Sequence, residues 1–200
     1  MSVSPSFSSM TDSPYDLPPE RLLKLVELLE GYGRPLMLAS PKTAARLGLL
    51  RRIVLICLKN TKGQVLLKKH PPQAPLYAGL WDVSVIGTVF AGESPADAAA
   101  RELFSRLGIR GTRLRAIGSL PYTDNRGANL SATFFLAGPA MPLSPLPPSV
   151  DTLLVDQHEL EGLVLHQQEM LTPELVWAVR AGWIFPRKKG QPRLYFSSAR

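Results

Sequence analysis

From Ser94 to Gly108 the chain carries, in order, the local signals that open and close a helix. Ser94 is a good N-cap, Pro95 suits the first helical position because its missing N–H would have no partner there, and Asp97 places an acid in the first turn. Gly108 then supplies the left-handed residue that ends such helices, so the spacing predicts a helix over 95–107. Within it Ala96, Ala99, Ala100, Leu103 and Leu107 form an apolar stripe, while Asp97, Glu102, Ser105 and Arg106 fall on the polar side. A helix with one apolar stripe needs a surface to cover, and the neighbouring runs supply one: they are short, β-branched and bounded by turn residues.

Those runs are Arg52 to Leu58 and Gln64 to Lys69, a hairpin around Asn60-Thr-Lys-Gly63, then Trp81 to Val89, Thr112 to Ser119, Leu130 to Ala137, and a buried strand at Val150 to Val155. Pro41 to Leu47 reads as a short helix between Ser40 and Gly48. Leu22 to Glu30 suits a helix by periodicity but also a strand ending at Gly31. Two helices close the domain: one starts at Asp156 with Glu159 completing a capping box, the other runs from Thr172 and Pro173 to Gly182. Strands interleaved with few helices imply an α/β/α sandwich around a mixed sheet.

Outside these elements, residues 1–19 are rich in serine and proline and too poor in periodic apolar positions to pack, so they read as a disordered tail. The folded domain is expected over 20–186, with a proline-rich surface loop at Pro139 to Pro148 and a basic tail over 187–200. A chain of 200 residues, 45% hydrophobic, suffices for one core. No apolar run approaches the roughly 20 residues of a membrane helix and no secretory signal opens the chain, so a cytoplasmic protein is expected. Cys57, the single cysteine, sits in an apolar run and reads as a small buried hydrophobe. A net charge of +7 favours anionic partners; the basic run Arg187-Lys-Lys189 with Arg193 reads as a solvated tail, since no nucleic-acid motif accompanies it.

Gly87, Glu93, Arg101, Glu102, Leu103, Gly108 and Ile109 stand at the spacing G-x5-E-x7-R-E-U-x-E-E-x-G-U, where U is a bulky aliphatic residue. This pattern resembles the Nudix box. The resemblance implies a loop–helix–loop on a Nudix-type sandwich, Glu93, Arg101 and Glu102 as catalytic residues, and Mg²⁺ or Mn²⁺ held by Glu102 against a diphosphate. Further runs, Arg34-Pro-Leu36, Val65 to Lys69 and Tyr77 to Ser84, are similar to the branch of the family related to isopentenyl-diphosphate isomerase. The isomerase's catalytic cysteine has no counterpart in Cys57, and His70, His158 and His166 are scattered, with His70 expected exposed in a loop beside Pro71-Pro72.

The chain departs from the box at its E-E pair, which is Ser105 and Arg106. Arginine puts a positive charge where a cation would sit, and four residues after Glu102 it is placed for a helical ion pair. Two readings follow. Either Arg106, with Lys68, Lys69 or Arg101, grips phosphate oxygens directly, or the helix is structural and Arg106 is a surface ion-pair partner; Trp81 is read either as lining the pocket, where it could stack on a base, or as packing in the core. Residual hydrolysis would need Glu93, Glu102 and a carboxylate from elsewhere, such as Asp124 or Asp151. The expected ligand is a small diphosphate-linked compound, bound or weakly hydrolysed; the alternative is a non-catalytic phosphate-binding or protein-interaction module. Oligomeric state is not legible.

Overall fold

The computed structural model describes residues 25–31, 33–123, 127, 129–138 and 151–185; the predicted tails, the proline-rich loop and Asp124 lie outside them. Nine strands are described: β1 Val26–Leu29, β2 Pro35–Ala39, β3 Leu50–Leu58, β4 Val65–Lys69, β5 Trp81–Asp82, β6 Val85–Thr88, β7 Leu114–Thr123, β8 Asn129–Ala137 and β9 Thr152–Val155. Four helices accompany them: α1 Pro41–Leu47, α2 Pro95–Leu107, α3 Gln157–His166 and α4 Pro173–Arg180, with a 3-10 turn at Gln168–Met170 before α4. The strand alternative for the segment before Gly31 is the one adopted, as β1.

A six-stranded sheet has the order β2-β1-β3-β8-β7, with β6 also paired to β3. Its β3–β8 pairing is parallel and its other pairings antiparallel, which makes the sheet mixed. A second, antiparallel sheet has the order β5-β4-β9. Strand alternation along β3 assigns the two cores. Ile53, Leu55 and Cys57 join Phe134 of β8 and the apolar faces of α3 and α4, whereas Val54, Ile56 and Leu58 join Ala98, Ala99 and Leu103 of α2. Helices therefore cover both faces, as the α/β/α reading requires.

The second sheet corrects two expectations. β3 and β4 are joined by the Asn60–Gly63 turn and bridge only at Lys59 and Val65, after which they part into different sheets. The run from Trp81 to Val89 is likewise not one strand. It breaks at Val83-Ser84, because the buried Ser84 hydroxyl donates to the Leu66 carbonyl (2.5 Å) and accepts from the Leu58 N–H (2.8 Å), tying the two sheets where they diverge. A third correction concerns β9, where only Val155 is buried, so this edge strand is not the buried one predicted.

Local capping behaves as read. Ser94 and Ser40 accept from Asp97 and Thr43, Asp156 and Glu159 form the capping box, and Gly108 closes α2 at φ +68°. The buried face of α2 differs from the predicted stripe: Ala96 and Ala100 are exposed, and Ala98, Ala99 and Leu103 pack inward with Glu102 beside them. The helix packs on both β6 and β3, and the face it turns to them carries Ala98, Ala99, Glu102 and Leu103.

Cys57 is fully buried, and burial pushes its thiol up from 9.0 to about 12 against the opposing pull of the Lys59 ammonium. The folded state thus holds the proton after the unfolded chain has released it. This contribution is complete below pH 9.0 and falls away as pH rises toward 12, at up to about 1.4 kcal/mol per pH unit. Urea unfolding at about pH 8 and pH 10.5 should show a steeper loss in the wild type than in Cys57→Ala; equal losses would contradict the assignment.

Candidate active site

Capping and packing of α2 against β6 bring the box residues together. Gly87 of β6 lies under Glu102: a Cβ at that position would sit 2.2 Å from the Glu102 Cγ, so no larger residue fits while Glu102 stays where it is. Glu102 itself is 7% exposed, although the helical pattern placed it on the polar side.

Arg101 ties the site. Its Nε and one terminal nitrogen donate to the two Glu93 oxygens at 2.8 and 2.9 Å, the other terminal nitrogen donates to Glu102 Oε1 at 2.6 Å, and a further bond reaches the Thr88 carbonyl at 2.7 Å. Hydrogen bonds to Glu93 first, and then to Glu102, hold the guanidinium above the ordinary arginine range despite partial burial. Glu93 Oε2 also accepts from the Phe90 N–H at 3.0 Å. The second Glu102 oxygen accepts from Arg106 Nε at 3.3 Å, the helical pair predicted from their spacing. Both carboxylates of the box are therefore occupied by arginine.

Beside this network opens a cleft of about 620 Å³. Glu102, Arg106, Lys68 and Lys69 line it. Glu93 and Arg101 stand behind the lining, and Trp81 is not part of it; Trp81 packs against the core, with the Lys69 ammonium 5.5 Å from its ring centre. Asp151 is exposed and its carbonyl accepts from the Lys69 N–H. His158 and His166 are exposed on α3.

The same cleft is also lined by His70, Asp82, Tyr77 and Glu174, to none of which the sequence assigned a role in the site. His70 is half-buried there, a correction to the exposed-loop expectation, and its Nε2 lies 2.8 Å from Asp82 Oδ2. Asp82 is almost fully buried and its Oδ1 accepts from the Val83 N–H at 2.7 Å. The Tyr77 hydroxyl donates to the buried Glu174 at 2.7 Å. One signal bore on this arrangement: if Gln64–Lys69 pairs with the strand starting at Trp81, His70 and Asp82 become neighbours across the ladder. The observed register, Lys69 opposite Trp81 and Lys68 opposite Asp82, does so.

Among the described residues no helix is long and apolar enough to cross a membrane. The model of the NUDIX domain family matches residues 49–175. An uncharacterized Nudix hydrolase of Pseudomonas aeruginosa is 34% identical over 120 residues, covering 60% of this chain and 70% of that relative. Another, from Listeria monocytogenes, is 36% identical over 62 residues, covering 31% of this chain and 37% of its own length. A solved structure from Deinococcus radiodurans shares the fold with a TM-score of 0.61 at 19% identity, covering 78% of this chain and 98% of the other. The MutT protein of Methanosarcina mazei does so with a TM-score of 0.51 at 20% identity, covering 65% and 92%. With a family model spanning more than half its length and a relative matched over most of its own, the chain belongs to the Nudix family.

Proposed function

We propose that this Nudix protein binds a small diphosphate-linked compound, such as a nucleoside diphosphate derivative, through cationic side chains in place of a divalent ion, and that metal-dependent hydrolysis is impaired. The single observation that carries the reading is the double engagement of Glu102 by Arg101 and Arg106. Mg²⁺ and Mn²⁺ need several oxygen ligands at close range, commonly charged ones. Here Glu102 faces two guanidinium groups, Glu93 is held by Arg101 and a backbone N–H, and Ser105 contributes no charge. Among the described residues no three His, Cys, Asp or Glu side chains gather in a way that could hold a metal. The donor set does not fit the ion, and no step is derived through one.

Anion binding fits better. Arg106, with its side chain 57% exposed, pairs only weakly with Glu102, since a solvent-exposed i,i+4 pair is worth about 0.3–0.5 kcal/mol. A phosphate offers the same guanidinium charge-assisted bonds, bidentate and stronger, so Arg106 can turn to it at little cost. Lys68 and Lys69 lie along the same cleft, whose volume exceeds what a bare diphosphate fills and leaves room for an attached group. The expected partner is a small phosphate compound of the cytoplasm.

The test is calorimetric titration with ADP and with pyrophosphate in EDTA. Arg106→Glu is expected to weaken both about 10- to 100-fold, the loss of one charge-assisted hydrogen bond plus a reversed charge. Unchanged affinity in that variant would sink the arginine-for-metal reading.

A further inference from the structure

The His70–Asp82 pair in the cleft has the construction of an activated base. Asp82 is 2% exposed, and each of its oxygens has a donor: the Val83 N–H on Oδ1 and the His70 ring on Oδ2. An ionised carboxylate only accepts, so in its neutral form a His70 ring paired with it carries the proton on Nε2 and leaves Nδ1 as a lone pair. Among the described residues Nδ1 has no hydrogen-bond partner, and His70 lines the cleft. The ring is held from several sides. Its backbone N–H donates to the Leu80 carbonyl at 2.8 Å, and the Tyr77 ring meets it edge-on with centroids 5.9 Å apart. Tyr77 is the only non-glycine among the described residues with a positive φ, +57°, a conformation costing of order 1 kcal/mol or more that persists where the surroundings over-determine it. Its hydroxyl is fixed by Glu174 of α4.

We propose that His70, oriented by Asp82, is the general base of a metal-independent hydrolysis of the diphosphate, with Arg106 and Lys68 taking the charge that a metal would take. The inference rests on the binding reading above. Water attacks one phosphorus atom; the new P–O bond forms as a water proton passes to His70 Nδ1, and the bridging P–O bond breaks with its electron pair leaving on the departing phosphate. The products are two phosphate monoesters, or a monoester and inorganic phosphate, and His70 returns its proton to solvent. Phosphoryl transfer asks mainly for positioning and for cations at the developing charge, and Arg106 and Lys68, which line the same cleft as His70, supply the latter. Asp82 acts through His70 and is a positioning residue.

The experiment is a turnover assay of the full chain with ADP-ribose and ADP in excess EDTA, alongside calorimetric binding of the same compounds. Turnover that survives EDTA, falls at least about 100-fold in kcat in His70→Ala with little change in KM, and is partly restored by added imidazole is the expected result. His70→Gln, which can still donate to Asp82 but has no basic nitrogen, should be equally impaired and not respond to imidazole, so a folding defect in the alanine variant does not decide the matter. Asp82→Asn should retain more activity than either. Binding without any turnover in EDTA, or turnover indifferent to His70, overturns the proposal while leaving the binding reading intact. Absence of binding would instead remove the reading on which it rests.

Discussion

Replacing Arg101 by methionine is expected to lower the unfolding free energy by about 3 kcal/mol, read from the urea midpoint at constant slope. Methionine keeps the unbranched stem and helix propensity but removes five donors. What remains is a Glu93 held by one backbone N–H, a nearly buried Glu102 held only by the exposed Arg106, and a Thr88 carbonyl without its partner. Leaving a desolvated carboxylate half-paired costs more than the pair was worth, typically about 3–5 kcal/mol when both partners are buried; the partial exposure of Arg101 places the expectation at the lower end. Arg101→Lys should recover only part of the loss, because one ammonium cannot serve Glu93, Glu102 and the carbonyl together. A loss under about 1 kcal/mol in the methionine variant would mean that water screens the network and that Glu102 is not held as described.

Gly87→Ala should cost about 2–3 kcal/mol, the upper range for one added methyl group in a packed site. Elsewhere in a strand the same change is neutral or favourable, since alanine has less backbone freedom to lose. Here the new methyl meets Glu102 Cγ at 2.2 Å and Cδ at 2.8 Å, and that side chain cannot swing aside without leaving Arg101 and Arg106. The clash and the charge network are thus one constraint, which a double-mutant cycle with Glu102→Ala isolates: in that background the penalty should fall below about 1 kcal/mol. Equal penalties in both backgrounds would place the strain in the backbone of β6 instead.

How much of this was legible in the sequence divides along a physical line. The limits of α2 are local chemistry, a serine oxygen on a backbone N–H, a proline without one and a glycine at positive φ, so Ser94, Pro95 and Gly108 suffice to place them. The Glu102–Arg106 contact follows from helical spacing alone. What failed is what depends on pairing at a distance. Nothing between Trp81 and Val89 says that Val83-Ser84 must break the run; the reason is Ser84 bonding to β3 and β4 at once. The burial of Glu102 depends on how α2 is rolled against β6, which the alanine-rich stripe leaves open because Ala96, Ala98, Ala99 and Ala100 could face the sheet in more than one way. His70 looked like a loop residue beside two prolines, and only the β4–β5 register gives it a buried carboxylate.

The charge around Glu102 decides whether a divalent ion can settle there, and a calorimetric titration of Mn²⁺ reads it out. Wild-type protein should bind the ion no tighter than the millimolar range, whereas Ser105→Glu with Arg106→Glu, which rebuilds an acidic patch around Glu102, should gain at least about two orders of magnitude. Micromolar binding of Mn²⁺ by the wild type, abolished in Glu102→Gln, would contradict the account.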